Sequence, residues 1–257
     1  MRTLVIGCGS IGSRHARNLK GLGHDVVLYD TDRSRVDRLL RELHSPLSPP
    51  GPLGWMCCGL SGDSLDNAMT MSEAVIVCTP HSSHLMYALA AVKLGKHVMV
   101  EKPLATLLDG TGELGEALAN SMCAFAVGHN LRSHPVVMQA GFEVFKLGRL
   151  VSARFECASY LPDWRPGVDY RDGYAASDSD GGIIMDDIHE LDLVASLIGS
   201  EFVKMTCLAG HSGQLELSRE DSADIAMSVI YAPYGYDAYE VPVTVHMDYL
   251  QRIPVRK

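Results

Sequence analysis

The 257-residue chain is predicted to be an α/β protein: a doubly wound parallel sheet, followed by a second α+β domain on a mostly antiparallel open sheet. Three observations carry this prediction. Short buried-strand runs alternate with helical stretches across residues 3–100. A glycine-rich loop sits at the first strand–helix turn. From Ala124 onward the strands lengthen, partly alternate, and have few helices between them. A chain of this length buries a large core and divides into two domains, expected at 1–123 and 124–257.

The elements follow in order. Thr3–Ile6 is an apolar run that stops at glycine, and Ile11–Leu22 has helical spacing with Arg14, Arg17 and Lys20 as a basic face. Asp25–Tyr29 is a β-branched strand, and Asp32–Leu43 a charged helix. Ala74–Cys78 and His97–Val100 are buried strands flanking a packed helix over Leu85–Leu94. Residues 44–72, with Pro46, Pro49, Pro50 and Pro52, read as a weak third strand and helix with a long connection, or as a flap. In the second half, Ala124–Gly128 is a strand and Pro135–Lys146 a helix. Longer strands follow at Val151–Tyr160, Val203–Leu208, Ala223–Tyr231 and Val241–Tyr249.

Composition narrows the function. Apolar residues are 47% and charged residues 21%, the balance of a globular protein. The net charge of -9 argues against a nucleic-acid partner, which calls for a basic patch. No apolar run reaches the roughly 18 residues of a membrane helix, so no membrane partner is expected. The N-terminus lacks the long apolar stretch of a signal peptide. Seven cysteines, an odd number without repeated spacing, suggest thiols in a reducing cytoplasm and no metal site.

Gly7-Cys8-Gly9-Ser10-Ile11-Gly12 follows the first strand and opens the first helix. This is GxGxxG in the context that gives it meaning. Gly7 permits the tight turn, Gly9 lets backbone approach a pyrophosphate, and Gly12 lets helix and strand pack closely. Ser10 and Ile11 carry the helix N-terminus, whose N–H groups favour phosphate. Asp30 ends the second strand roughly 20 residues on, where a carboxylate accepts from ribose hydroxyls and repels a 2′-phosphate. These features point to a dinucleotide-binding (Rossmann) domain preferring NAD, with Arg33 and Arg35 nearby leaving NADP open.

Thr79 and Pro80, followed by His84, lie past the fourth strand, where open α/β sheets bind ligands. By itself His84 fits local packing as well as a functional role. Glu101-Lys102-Pro103 follows the next strand, and Lys102 fits either a solvated lysine or a cation beside a developing alkoxide. In the segment from Gly181 to Asp192, Asp186 and His189 are three apart and share a face if a helix begins there. Such a pair suits a general base held by a carboxylate, and equally an acidic helix start.

Taken in order, GCGSIGSRHARNL, VIVCTPHSSH, GKHVMVEKPLA, GHNLRSHP and GG…DDIHELD resemble the Gfo/Idh/MocA oxidoreductases from Met1 to about Gln251. The wording YLPDWRPG.DYR and HELD is most similar to the branch found with bacterial surface-sugar biosynthesis. The resemblance implies a Rossmann domain and an α/β domain whose open sheet forms a homo-oligomer. It implies an NAD-dependent enzyme acting on a CH–OH group of a sugar, nucleotide sugar or polyol, with NADP second to NAD. It implies catalytic Lys102, His189 and Asp186, cofactor contacts extending to Thr79, Pro80, His84 and Glu101, and substrate contacts from Asn130, Arg132, Tyr170 and Arg171 besides Lys102 and His189. This chain carries Ile183 where a third glycine is common, and Ile188 where a small residue precedes the histidine. It stops at Lys257, where family members usually continue, so the second domain is expected to be incomplete. An NAD-dependent glycosidase and a non-catalytic NAD-binding regulator are the competing expectations.

Overall fold

The computed structural model describes residues 1–44, 57–60 (backbone), 65–233 and 237–257. They form two compact units, Met1–Gly128 and His129–Lys257.

In the first unit six strands pair in the order β3-β2-β1-β4-β5-β6, all parallel. They are β1 (Arg2–Ile6), β2 (Asp25–Tyr29), β3 (Cys57–Leu60), β4 (Ala74–Val77), β5 (His97–Val100) and β6 (Phe125–Val127). Successive side chains of a strand point to opposite faces, and both faces here are covered. Leu4, Ile6, Val75 and Val77 pack on Ala88, Ala91 and Val92 of α4 (His84–Lys93). Val5, Val26, Leu28 and Ile76 pack on Ala16 and Leu19 of α1 (Ser10–Gly21) and on Val36 and Leu39 of α2 (Arg33–Leu43). Each such aliphatic side chain contributes about 1.5–3 kcal/mol on burial.

Three details differ from the sequence reading. The run at Ala124–Gly128 completes the first sheet, because Phe125 pairs with Val98, so the boundary falls at Gly128 and not after residue 123. A three-residue edge strand holds too little alternation to declare its sheet. Lys20 is not part of an exposed basic face: it is buried, and its ammonium donates to the Leu43 carbonyl at the end of α2. A helix unread in the sequence, α5 (Thr111–Ala119), follows Gly110; Gly112 and Gly115 dilute its apolar period. The weak third strand and helix are present as β3, beside β2, and α3 (Leu65–Met71). Their connection over 45–56, and with it the flap reading, lies outside the described residues.

The second unit is built on a five-stranded sheet, β11-β7-β10-β9-β8. Its strands are β7 (Ala153–Ala158), β8 (Glu201–Gly210), β9 (Ser222–Tyr231), β10 (Tyr239–Asp248) and β11 (Val255–Arg256). Among the described strands of this sheet, only the β7–β10 pair is parallel. Strict alternation on β9 and β10 buries Ile225, Met227, Val229, Val241, Val243, Val245 and Met247 on one face. Against this face pack Ile183 of α7 (Ile183–Asp186) and Leu193 and Val194 of α8 (His189–Leu197). The helix α6 (Pro135–Val144) adds Val137 and Val144. Ile183, standing where a third glycine was expected, is fully buried in this core.

On the other face His246 lies between two carboxylates, with Nδ1 2.9 Å from Asp224 and Nε2 3.0 Å from Asp248. Glu156 on β7 is its other cross-strand neighbour. Burial opposes charge on this imidazole, but the hydrogen bonds to Asp224 and Asp248 outweigh it and raise its pKa above the ordinary histidine value. A raised folded-state pKa stabilises fully below the unfolded value of about 6.5, and that contribution is lost as pH rises through the folded value. Urea midpoints compared from about pH 6 to about pH 8.5 should therefore fall more in the wild type than in His246→Gln. Parallel pH profiles for the two proteins would remove the assignment.

Candidate active site

The first unit presents its loops at the carboxyl ends of β1 and β4, where strand order reverses. Gly7 has φ +93°, and a Cβ there would lie 2.6 Å from the Cys78 carbonyl oxygen. At Gly12 a Cβ would lie 1.8 Å from the Gly7 carbonyl oxygen. At Gly9 it would meet nothing within 4 Å. Two glycines therefore serve the protein's own packing, and the middle one leaves backbone open to a ligand. No side chain caps α1 at Gly9, and Ser10 and Ile11 are exposed at its first turn. Asp30 is buried, accepting the Cys8 N–H at 2.7 Å and the Asp32 N–H at 2.9 Å. A carboxylate has about four acceptor positions, so two remain for a diol. Arg33 pairs with Asp37 at 2.8 Å; Arg35 pairs with Asp32 at 3.4 Å and stands 3.9 Å from Asp30. These residues fit a dinucleotide whose ribose diol meets a carboxylate.

Past β4, Thr79 accepts from the Ser83 hydroxyl at 2.7 Å and Pro80 is exposed. His84 is buried, with Nδ1 2.7 Å from the Pro103 carbonyl and Nε2 2.8 Å from the Thr79 carbonyl. It ties the loops after β4 and β5 together, and both ring nitrogens are spent on backbone. Glu101 meets His15 Nε2 at 2.7 Å. Burial pushes this carboxyl up, but His15 and Lys102 outweigh it and hold it below the ordinary glutamate value. Lys102 follows directly, half-buried, at a cis bond to Pro103.

In the second unit Asp186 and His189 do not occupy successive turns of one helix. The helix α7 ends at Asp186, α8 begins at His189, and Asp187 and Ile188 form the break. Asp186 is buried and accepts from Tyr174 at 2.8 Å and from Tyr249 at 2.9 Å. Burial and the Asp186 charge push both phenols up, so they stay protonated donors. The ring of His189 stands edge-to-face with that of His129, centroids 5.8 Å apart. Arg132 grips Asp192 through a fork with contacts of 2.6–3.0 Å, so its guanidinium is largely committed to the protein. Asn130 is exposed in the turn Asn130–Ser133. The Tyr170 hydroxyl accepts from the Glu216 N–H at 3.0 Å. Arg171 forks onto Asp169, which holds that carboxyl down at about 2. A shallow, solvent-open apolar depression lies between Trp164, Val168, Tyr170 and Tyr174.

Residues 1–129 match the oxidoreductase family with an NAD-binding Rossmann fold, Gfo/Idh/MocA. The chain belongs to this family. Among its relatives, the inositol 2-dehydrogenase of Pseudomonas savastanoi pv. phaseolicola is 30% identical over 251 residues, covering 91% of this chain and 68% of the relative. The UDP-N-acetylglucosamine 3-dehydrogenase of Acidithiobacillus ferrooxidans is 28% identical over 205 residues, covering 78% of this chain and 55% of that protein. Thus the match spans about half the length of this relative. The WlbA dehydrogenase of Bordetella pertussis, solved with NADH and UDP-GlcNAcA, shares the fold at a TM-score of 0.72 and 18% identity, covering 97% of this chain and 71% of that one.

Five residues that the sequence reading did not single out touch its candidates: His15 meets Glu101, His129 stands beside His189, Asp192 holds Arg132, and Tyr174 and Tyr249 donate to Asp186. Of these, His15, His129 and Asp192 stand inside the GCGSIGSRHARNL, GHNLR and HELD motifs, and that is the available signal. Tyr174 and Tyr249 meet on Asp186 from 12 and 63 residues away, a convergence no spacing rule shows.

Proposed function

We propose that this Gfo/Idh/MocA protein is an NAD-dependent dehydrogenase acting on a CH–OH group of a sugar, nucleotide sugar or related polyol, with a place in surface-glycan synthesis. The observation that carries it is the glycine loop: tight where the protein packs on itself, open at Gly9, and braced by the Asp30 carboxylate. The dehydrogenases named among its relatives support the substrate class.

Bound NAD supplies the hydride acceptor. The His189 imidazole takes the hydroxyl proton as the carbinol is oxidised. Lys102 offers its ammonium to the negative charge growing on the substrate oxygen. Asp186, held in place by two phenols and three residues before His189, is the residue assigned to orient the imidazole. Asn130, Tyr170 and Arg171 are the remaining hydroxyl- and phosphate-binding candidates, with Arg132 serving mainly to hold α8. Thr79, Pro80 and Glu101 border the cofactor, and His84 shapes their loops. Copies associate through the second-unit sheet, and the thiols at Cys8, Cys78, Cys123, Cys157 and Cys207 suit a reducing cytoplasm.

The test is NADH formation followed at its absorbance band across a panel of sugars and nucleotide sugars. Growth of that band with one substrate class supports the reading. Glycoside cleavage without net NADH, or NAD binding without turnover of any member, overturns it. Asp30→Ala should weaken NAD binding and narrow the preference over NADP, because the diol loses its acceptor and a 2′-phosphate loses its repulsion. Unaltered selectivity in a binding titration would count against the role of Asp30.

A further inference from the structure

Arg256, on the short edge strand β11, reaches the chain segment that carries His189. Its Nε lies 2.8 Å from Glu190 Oε1, and an Nη lies 3.6 Å from Asp187 Oδ1. The same guanidinium is 3.1 Å from the Cys157 sulfur. The Glu190 side chain is 1% exposed and that of Asp187 10%. The residues gripped are thus the second before and the first after His189, on both sides of the α7–α8 break. The strand bearing Arg256 is itself fixed: Arg256 registers with Cys157, and Lys257 and Glu156 exchange backbone hydrogen bonds at 2.7 and 2.9 Å.

We propose that Arg256 is a positioning residue for His189, pinning the α7–α8 break to the edge of the second sheet so that the imidazole keeps one orientation. This rests on the dehydrogenase reading for its kinetic consequence, but not for its structural one. The physical reasoning is direct. The two buried carboxylates, Asp187 on the break and Glu190 in the first turn of α8, flank His189 and repel each other unless a cation stands between them. One planar guanidinium sets its positive charge against both, 2.8 Å from Glu190 and 3.6 Å from Asp187, whereas a lysine is a single point charge on a flexible stem. A break left without its fork turns the base out of line, and displacements near 1 Å cost about 10²-fold in rate. Arg132 acts similarly on Asp192, one turn further along α8.

The experiment compares wild type, Arg256→Lys, Arg256→Gln and the double variant Arg256→Met with Glu190→Leu, which removes the fork and one buried charge together. Two readouts are taken on each full-length protein: kcat and KM with NAD and the accepted sugar, and the ring-nitrogen NMR resonances of His189, assigned by their loss in His189→Asn. Expected for Arg256→Gln are a kcat lower by about 10–10²-fold, KM for NAD within about twofold, and shifted or doubled His189 resonances, with partial recovery in Arg256→Lys. If Arg256→Gln fails to fold, the double variant decides. Low kcat and displaced His189 resonances in a protein that melts like the wild type support positioning. Wild-type kcat and an unmoved His189 resonance in any folded variant lacking the guanidinium overturn it, leaving Arg256 as a counter-ion for Glu190. Failure of the dehydrogenase reading is distinct: the wild type then turns over no sugar, while the resonances still report whether Arg256 orients the ring.

Discussion

Replacing His189 by alanine is expected to lower turnover by about 10²–10⁴-fold while NAD affinity stays within about twofold. The proposed base is the only part removed. His189 opens α8 and is half-buried, and its ring stands against His129 and is not enclosed in the apolar core. Truncation therefore leaves the packing of Ile183, Leu193 and Val194 intact. The cofactor cradle lies in the other compact unit, which predicts the split between turnover and NAD binding. The measurement is single-turnover NADH formation alongside a binding titration with NAD. Turnover within threefold of the wild type, by the order of magnitude just given, would move the proton acceptor to another group. His129→Asn should have the smaller effect, since its ring touches the proposed base from the side.

Gly12→Ala is expected to have the largest effect on the first unit. Its new Cβ would sit 1.8 Å from the Gly7 carbonyl oxygen, so α1 must lift off β1. Gly7 cannot yield easily, because its own N–H donates to Tyr29 at 2.8 Å and its φ is +93°. Overpacking of this kind costs about 1–3 kcal/mol, and more where backbone is the obstacle. Weakened NAD binding should accompany the fall in melting temperature, as the α1 N–H groups are displaced. Gly9→Ala is the informative contrast. Its Cβ meets no protein atom within 4 Å, so stability should change by less than about 1 kcal/mol. If the loop cradles a pyrophosphate, NAD binding should nevertheless fall by more than about tenfold, because the Cβ fills the approach. Undiminished binding in Gly9→Ala would remove the cradle.

Much of the first unit was legible because its signals are local. The runs at Asp25–Tyr29 and His97–Val100 became strands of those bounds, since buried parallel strands read as continuous apolar runs. The glycine loop was legible for the same reason: each glycine answers a steric demand a few residues away. The second unit was less so. The alternation on β9 and β10 showed strands, but the parallel pairing of β7 with β10 joins residues about ninety apart, such as Ala153 and Val243, which no window spans.

The alternating strands and helices of the first unit, the glycine loop with its acid at Asp30, and the motifs holding Lys102 and His189 are all legible along the chain. These depend on backbone sterics and on periods of a few residues. Long-range packing settles which polar side chains are spent on the protein itself. It committed Arg132 to Asp192, His84 to two carbonyls and Lys20 to the end of α2, and it gathered Tyr174 and Tyr249 onto Asp186. The reason is that a buried polar group must find a partner wherever the folded chain brings one, and distance along the chain does not limit that choice.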